Sequence, residues 1–154
     1  MEKITNKSLN AQYVVSKRMV TSAERFGIDL DVSYSELFRL IDWDMSQVDG
    51  HIFVLFHNGR DNHQAMEVEF CLPIDPEVTK VSEDIVIQMV PSCIIALCAT
   101  YGGNLDEIEP AYARIKAYAE HHYHRLDFPI RETYLDYSSQ NPVTEIAWPI
   151  SELL

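Results

Sequence analysis

Long hydrophobic runs are missing from this chain. The longest, residues 93–99 (CIIALCA), falls far short of the roughly 20 apolar residues that a membrane helix needs, and the N-terminal MEKITNKSLN has no apolar core of the signal-peptide kind. Neither a spanning nor a targeting segment is expected, and no membrane partner. Basic residues are also scarce: 12 Lys and Arg stand against 24 Asp and Glu, a formal charge of -12. Nucleic-acid affinity rests largely on Lys and Arg neutralising phosphates, so no direct nucleic-acid partner is expected. The three cysteines are an odd number without C-x-x-C spacing, and Cys71, Cys93 and Cys98 all lie in apolar, strand-like runs. That pattern excludes a disulfide framework and fits buried thiols in a reducing, cytoplasmic setting. There is no G-x-S-x-G, no Walker loop and no G-x-G-x-x-G, which leaves acyl transfer, nucleotide hydrolysis and dinucleotide chemistry without support. His121, His122 and His124 cluster after a helical segment, but no spacing matches a zinc finger or an H-E-x-x-H pair, so they read as solvated helix-end histidines. No metal and no cofactor is expected.

What is present is an ordinary globular composition, 47% hydrophobic and 23% charged. At 154 residues the chain suits one domain, residues 1–154, burying roughly two thirds of its unfolded surface. Residues 11–20 (AQYVVSKRMV) read as an entering strand. In the following stretch Leu37, Phe38, Leu40, Ile41 and Met45 recur at helical spacing, and Ser33 with Glu36 offers a capping box for a helix of about three turns. Two strand-like runs in residues 51–74, separated by a Gly, Asn and Asp loop, predict a hairpin. After a spacer at 75–84 the order starts again. A long strand over 85–103 carries Pro91 as a bend, Asn104 is placed to cap a helix striped by Ile108, Ala111, Tyr112, Ile115 and Ala119, and two last strands flank the turn-like SSQNP.

Each half, about 9–75 and 85–151, thus reads strand, helix, strand, strand. The halves end alike: Glu69, Pro73 and Ile74 repeat as Glu145, Pro149 and Ile150, an E-x-x-x-P-I signature 76 positions on. The fold class expected is α+β, a duplicated unit with pseudo-two-fold symmetry, antiparallel sheets, two main helices and a ligand cleft between the halves.

One short stretch stands out chemically. In residues 130–135 (IRETYL), strand alternation puts Ile130, Glu132 and Tyr134 on one face. A carboxylate between an isoleucine and a tyrosine costs several kcal/mol to dehydrate unless something meets it. Either solvent enters a cleft at this point, or the acid stays protonated, or Glu132 makes a structural salt bridge or hydrogen bond at a strand edge. Trp43, Trp148, Tyr101 and Tyr112 are each either cleft wall or core. Glu69 reads as a solvent-facing or loop-capping acid, while Glu145 lies on the face opposite Trp148.

The ordered set GHIFVLFHN, ATYGGNL with AYARI, RETYL and TEIAWPI resembles the GyrI-like effector-binding domain family, the small-molecule module also found in multidrug-sensing transcription regulators of bacteria. The resemblance spans about residues 9–150. It implies a stand-alone binding domain for lipophilic, cationic, drug-like compounds, acting in sequestration or transcription-linked sensing. It also implies a pocket between the halves with Glu132 as its acid and Tyr134 beside it; Tyr101, Trp148, Trp43, Phe56 and Tyr112 are the aromatic candidates for its wall. Aromatic faces within about 6 Å of a cation contribute roughly 0.5 to 2 kcal/mol per ring. Some relatives hydrolyse cyclopropane-containing genotoxins, and in that alternative Glu132 is the general base with Tyr134 or a second acid assisting the leaving group. The family's name further implies a protein partner such as a topoisomerase, approached through the acidic surface. Residue 11 already begins the first strand, so no helix-turn-helix is expected before it.

Overall fold

The computed structural model describes residues 3–78, 84–136 and 140–151. The predicted spacer at 75–84 and the SSQNP turn lie partly outside the described residues. Runs rich in β-branched and aromatic side chains form β1 (Thr5–Leu9), β2 (Gln12–Thr21), β3 (Phe53–Phe56), β4 (Met66–Pro73), β5 (Ile85–Val90), β6 (Cys93–Gly102), β7 (Arg125–Leu126), β8 (Ile130–Asp136) and β9 (Val143–Ser151), while the 3.6-period segments form α1 (Phe26–Leu40) and α2 (Glu109–His121).

The strands make one antiparallel sheet in the order β1-β6-β9-β8-β3-β4-β2-β5, with β7 pairing β9. That order reads the same from both ends. β3 and β8 meet in the middle, β4 and β9 flank them, β2 and β6 follow, and β5 and β1 close the edges, so the predicted duplication appears as a symmetric sheet. Glu69 and Glu145 occupy the corresponding strands β4 and β9. At the centre, Val54 of β3 faces Glu132 of β8 across the ladder.

Both helices lie on one face. Phe26, Leu30, Tyr34 and Leu37 of α1 and Ala111, Tyr112, Ile115 and Ala119 of α2 share a single buried cluster with Val54, Phe56, Phe70, Ile130, Tyr134, Ile146 and Trp148 of the sheet. Each fully buried Leu, Ile or Phe here contributes about 1.5 to 3 kcal/mol. Alternate residues of the same strands, Val14, Phe53, Leu55, Cys71 and Val90, form a smaller cluster on the outer face.

Several predicted boundaries move. The long strand over 85–103 is two strands, and they go to opposite halves of the strand order: β5 pairs β2 at one edge, whereas β6 runs between β1 and β9. Pro91 lacks the N–H that a continuous ladder needs, so the chain crosses over there instead of bending. α1 begins at Phe26, well before Ser33, because the apolar stripe starts there. Ser22 Oγ accepts from Arg25 N at 3.2 Å ahead of the first turn, and Ser33, predicted as the cap, is buried inside the helix beside Met19 Sδ at 3.8 Å. Glu36 of the predicted capping box instead pairs with Lys17 at 2.9 Å. Asn104 makes no side-chain cap; a 3-10 turn at Leu105–Glu107 intervenes, and α2 starts at Glu109 with Pro110 in its first turn, where the missing N–H costs nothing. The sequence reading had no counterpart for β1 and β7.

Candidate functional site

Glu132 stands in the middle of β8 with backbone partners on both sides, Val54 of β3 and Ile146 of β9, so its Cα is fixed by the centre of the sheet. Alternation turns its side chain toward the helices, where it is completely buried. The carboxylate is met by a cation from an unexpected quarter. Arg60 donates from Nε to Oε2 at 2.6 Å and from Nη2 to Oε1 at 2.9 Å, a fork matched to the two oxygens. The Tyr134 hydroxyl adds a bond to Oε1 at 3.0 Å, and the Tyr112 hydroxyl donates to Oε2. Both oxygens therefore carry two donors each. In place of a solvated acid or a salt bridge at a strand edge, Glu132 forms a salt bridge with Arg60 buried at the centre of the sheet.

The Arg60 guanidinium lies in an aromatic cage, 4.9 Å from the centre of the Phe26 ring, 4.6 Å from Phe56 and 5.8 Å from Tyr112. Burial acts to remove its proton, but the Glu132 charge and hydrogen bonds outweigh this and hold Arg60 protonated well above its ordinary range. Burial, with the Glu132 charge added, also pushes the Tyr112 and Tyr134 phenols up, so both remain neutral donors. The cage and its occupant come from four places in the chain: the start of α1, the end of β3, the first turn of α2, and the loop between β3 and β4.

That loop places the arginine. Gly59 adopts φ +82°, a left-handed conformation that suits glycine, and a Cβ there would come to 3.0 Å from the Phe128 ring. Asn58 Oδ1 accepts from Glu67 N at 2.9 Å and Asn62 Oδ1 from Ala65 N at 3.2 Å, while Ala23 N donates to His63 O at 2.7 Å. The loop is also tied to α2, with Lys116 Nζ at 2.8 and 2.9 Å from the Asp61 oxygens and His63 Nε2 at 3.3 Å from Glu109.

A cavity of about 460 Å³ opens between the start of α1, this loop and α2, lined among others by Phe26, Gly27, Arg60, Met66, Tyr112 and Lys116. Asp61, Asp106 and Glu109 give its lining an acidic share. Arg60 borders the cavity and Glu132 does not; the arginine stands between the open space and the acid.

Of the residues singled out in the sequence, Glu132, Tyr134, Tyr112 and Phe56 are brought together. Trp148 extends the group, its ring edge-on to Tyr112 at 5.7 Å, with Lys116 Nζ 5.8 Å from its centre and its buried indole N–H unpartnered. Trp43 is not brought in. It is 58% exposed and stacks on Phe38 at 5.2 Å, turned outward by the left-handed conformations of Asp42 and Trp43 that end α1. Tyr101 also lies elsewhere, its hydroxyl bonded to Asn104 O at 2.8 Å in the turn before α2. Arg60 and Phe26 escaped the sequence reading. The available signal was the buried acid itself, which demands a base, together with a Gly-Arg pair in the loop beside it.

The outer face holds a second buried acid. Glu69, expected to face solvent, is 5% exposed. It accepts from Ser16 Oγ at 2.6 Å, lies 2.8 Å from His57 Nε2 and is bonded to Gln88 Nε2. Burial raises its pKa, but the bonds from His57 and Ser16 more than reverse that, leaving it below the ordinary 4.5. Burial also pushes the Cys98 thiol up to about 11 and Cys71 well above its usual range, so neither is a thiolate nucleophile. Among the described residues no group of His, Cys, Asp and Glu is arranged to hold a metal ion, and no helix is long and apolar enough to cross a membrane.

The chain is similar in fold to several solved structures. It aligns with EcmrR in complex with DNA at a TM-score of 0.83 and 22% identity, covering 98% of this chain but 58% of that one. With the EcmrR C-terminal domain alone the TM-score is 0.77 at 24% identity, covering 98% of both. A hydrolase encoded by lin2189 from Listeria innocua aligns at 0.71 and 11% identity, over 97% of this chain and 92% of that one. SAV2435 bound to tetraphenylphosphonium aligns at 0.65 and 14% identity, over 97% and 94%. No curated protein matches. The pattern of the GyrI-like small molecule binding domain matches residues 2–151, nearly the whole length, and the chain belongs to that family.

Proposed function

We propose that the chain binds a lipophilic, cationic small molecule at the cavity beside Arg60, with Glu132, Tyr134, Tyr112, Phe56 and Trp148 as its recognition residues, and that it acts in the cytoplasm by sequestering the compound or by presenting it to a transcription-linked partner. One observation carries the reading: the interior of this protein already stabilises a flat cation by a two-oxygen carboxylate contact and three ring faces. Such a cage favours planar or aromatic positive groups over neutral ones. A similar fold, SAV2435, is known with tetraphenylphosphonium bound. The test is calorimetric titration with tetraphenylphosphonium of the wild type and Glu132→Gln. At least tenfold weaker binding by the variant, about 1.4 kcal/mol, is expected; equal affinity removes Glu132 from the site.

Hydrolysis is the second reading, favoured by the likeness to a Listeria innocua hydrolase. It needs Glu132 to hold and deprotonate a water. Both carboxylate oxygens are occupied by Arg60, Tyr112 and Tyr134, an arrangement better suited to holding a charge than to accepting a proton. Turnover of a reactive cyclopropane compound that disappears in Glu132→Gln decides for the enzyme.

A further inference from the structure

Resting on that reading, we infer that Arg60 is the resident occupant of the cation site and that an incoming ligand must displace it, so that this one residue sets which cations the protein accepts. Its guanidinium takes both Glu132 oxygens and the Phe26, Phe56 and Tyr112 faces. A cation entering the cavity meets Arg60 first, because Glu132 is completely buried behind it.

The occupant is built to leave. Glu132, Tyr134 and Phe56 are on strands and Tyr112 is on a helix, but Arg60 comes from a loop. Backbone bonds hold the loop on either side, from His57 N to Glu67 O at 2.8 Å and from Ala65 N to Asn62 O at 3.2 Å, whereas among the described residues neither Arg60 nor Asp61 makes one. Rotation about the arginine side chain would carry the guanidinium into the cavity, which Asp106 and Glu109 also line. No strand pairing has to break.

Competition by a tethered group lowers apparent affinity by the fraction of time the cage is empty. A ligand must therefore add more than charge. It needs apolar surface to fill the cavity of about 460 Å³ in addition to the cation that replaces the guanidinium. Small cations without such surface stay excluded, which makes the chain selective for bulky aromatic ones.

The experiment is calorimetric titration of wild type, Arg60→Met, Arg60→Lys and the double variant Arg60→Met with Glu132→Gln, using tetraphenylphosphonium and n-propylguanidinium as probes and circular dichroism to confirm folding. Arg60→Met should bind tetraphenylphosphonium at least about tenfold more tightly than wild type and acquire measurable n-propylguanidinium binding. The double variant should lose both gains. Arg60→Lys, which keeps the charge without the two-pronged contact, should fall between, and it decides the matter if Arg60→Met does not fold. Folded Arg60 variants that bind tetraphenylphosphonium no more tightly than wild type overturn the inference while leaving the proposed function standing. Failure of wild type and variants alike to bind either probe overturns both.

Discussion

Two buried carboxylates sit on opposite faces of one sheet, and they are satisfied in different ways. Glu69 on the outer face is held by Ser16, His57 and Gln88, from β2, the end of β3 and β5, so most of its partners are fixed by the same ladders that fix the acid. Glu132 on the inner face depends for its charge partner on Arg60, from a loop, set among rings and open to a cavity. The contrast teaches where function can reside. A strand-borne network cannot be exchanged without disturbing pairing, whereas a loop-borne partner can leave and be replaced.

The largest effect expected from this contrast is at Glu132. Replacing it by alanine leaves a buried guanidinium without its anion and should cost about 3 to 5 kcal/mol in denaturant unfolding. The double variant Glu132→Ala with Arg60→Met should recover much of that loss, since an apolar pair replaces both charges. A double variant no more stable than the single one would mean that the ion pair is not what holds the region, and the contrast with Glu69 would lapse.

How much of this was readable beforehand differs by level. Alternation placed Glu132 and Tyr134 on one face because period two is local to a strand, and the repeat of Glu69, Pro73 and Ile74 at Glu145, Pro149 and Ile150 announced the symmetric sheet. The crossover at Pro91 was hidden, because an apolar run around a proline reads alike whether the chain bends or leaves for the other half of the strand order. Arg60 was hidden for another reason. It is 72 positions from Glu132, and no short-range pattern reports a contact that exists only once the two halves have met. Trp43 misled because an aromatic at a helix end looks the same whether it turns in or out, and the choice depends on two residues in left-handed conformations.

A smaller effect tests the other acid. Glu69→Gln should cost about 1 to 3 kcal/mol, as an imperfectly satisfied buried group does. The sign of its pH dependence follows from a folded pKa held below the ordinary 4.5. Such a group contributes its full stability above the unfolded value and loses it as pH falls through the folded one. The stability gap between wild type and Glu69→Gln should therefore stay level above about pH 4.5 and close in acid below it. A gap that widened on acidification would show Glu69 to be destabilised by its surroundings instead of held by them. Ligand binding should be unaffected by this variant, since Glu69 faces away from the cage.

The smallest effect concerns the tether of the loop itself. Lys116 and Asp61 are joined at 2.8 Å, but their side chains are 42% and 81% exposed, so the pair is screened and worth only about 0 to 1 kcal/mol. Asp61→Ala should thus leave global stability nearly unchanged. It should still free the loop to open, because Asp61 adjoins Arg60 and its partner Lys116 is one of two α2 residues that hold the loop, the other being Glu109 on His63. Amide hydrogen exchange should accelerate over residues 58–64 while β3, β4 and β8 keep their protection. A loss of exchange protection across the strands as well would mean that loop and sheet open together. In that case Arg60 could not leave the cage without unfolding its walls, and the distinction between a fixed partner and an exchangeable one would not survive.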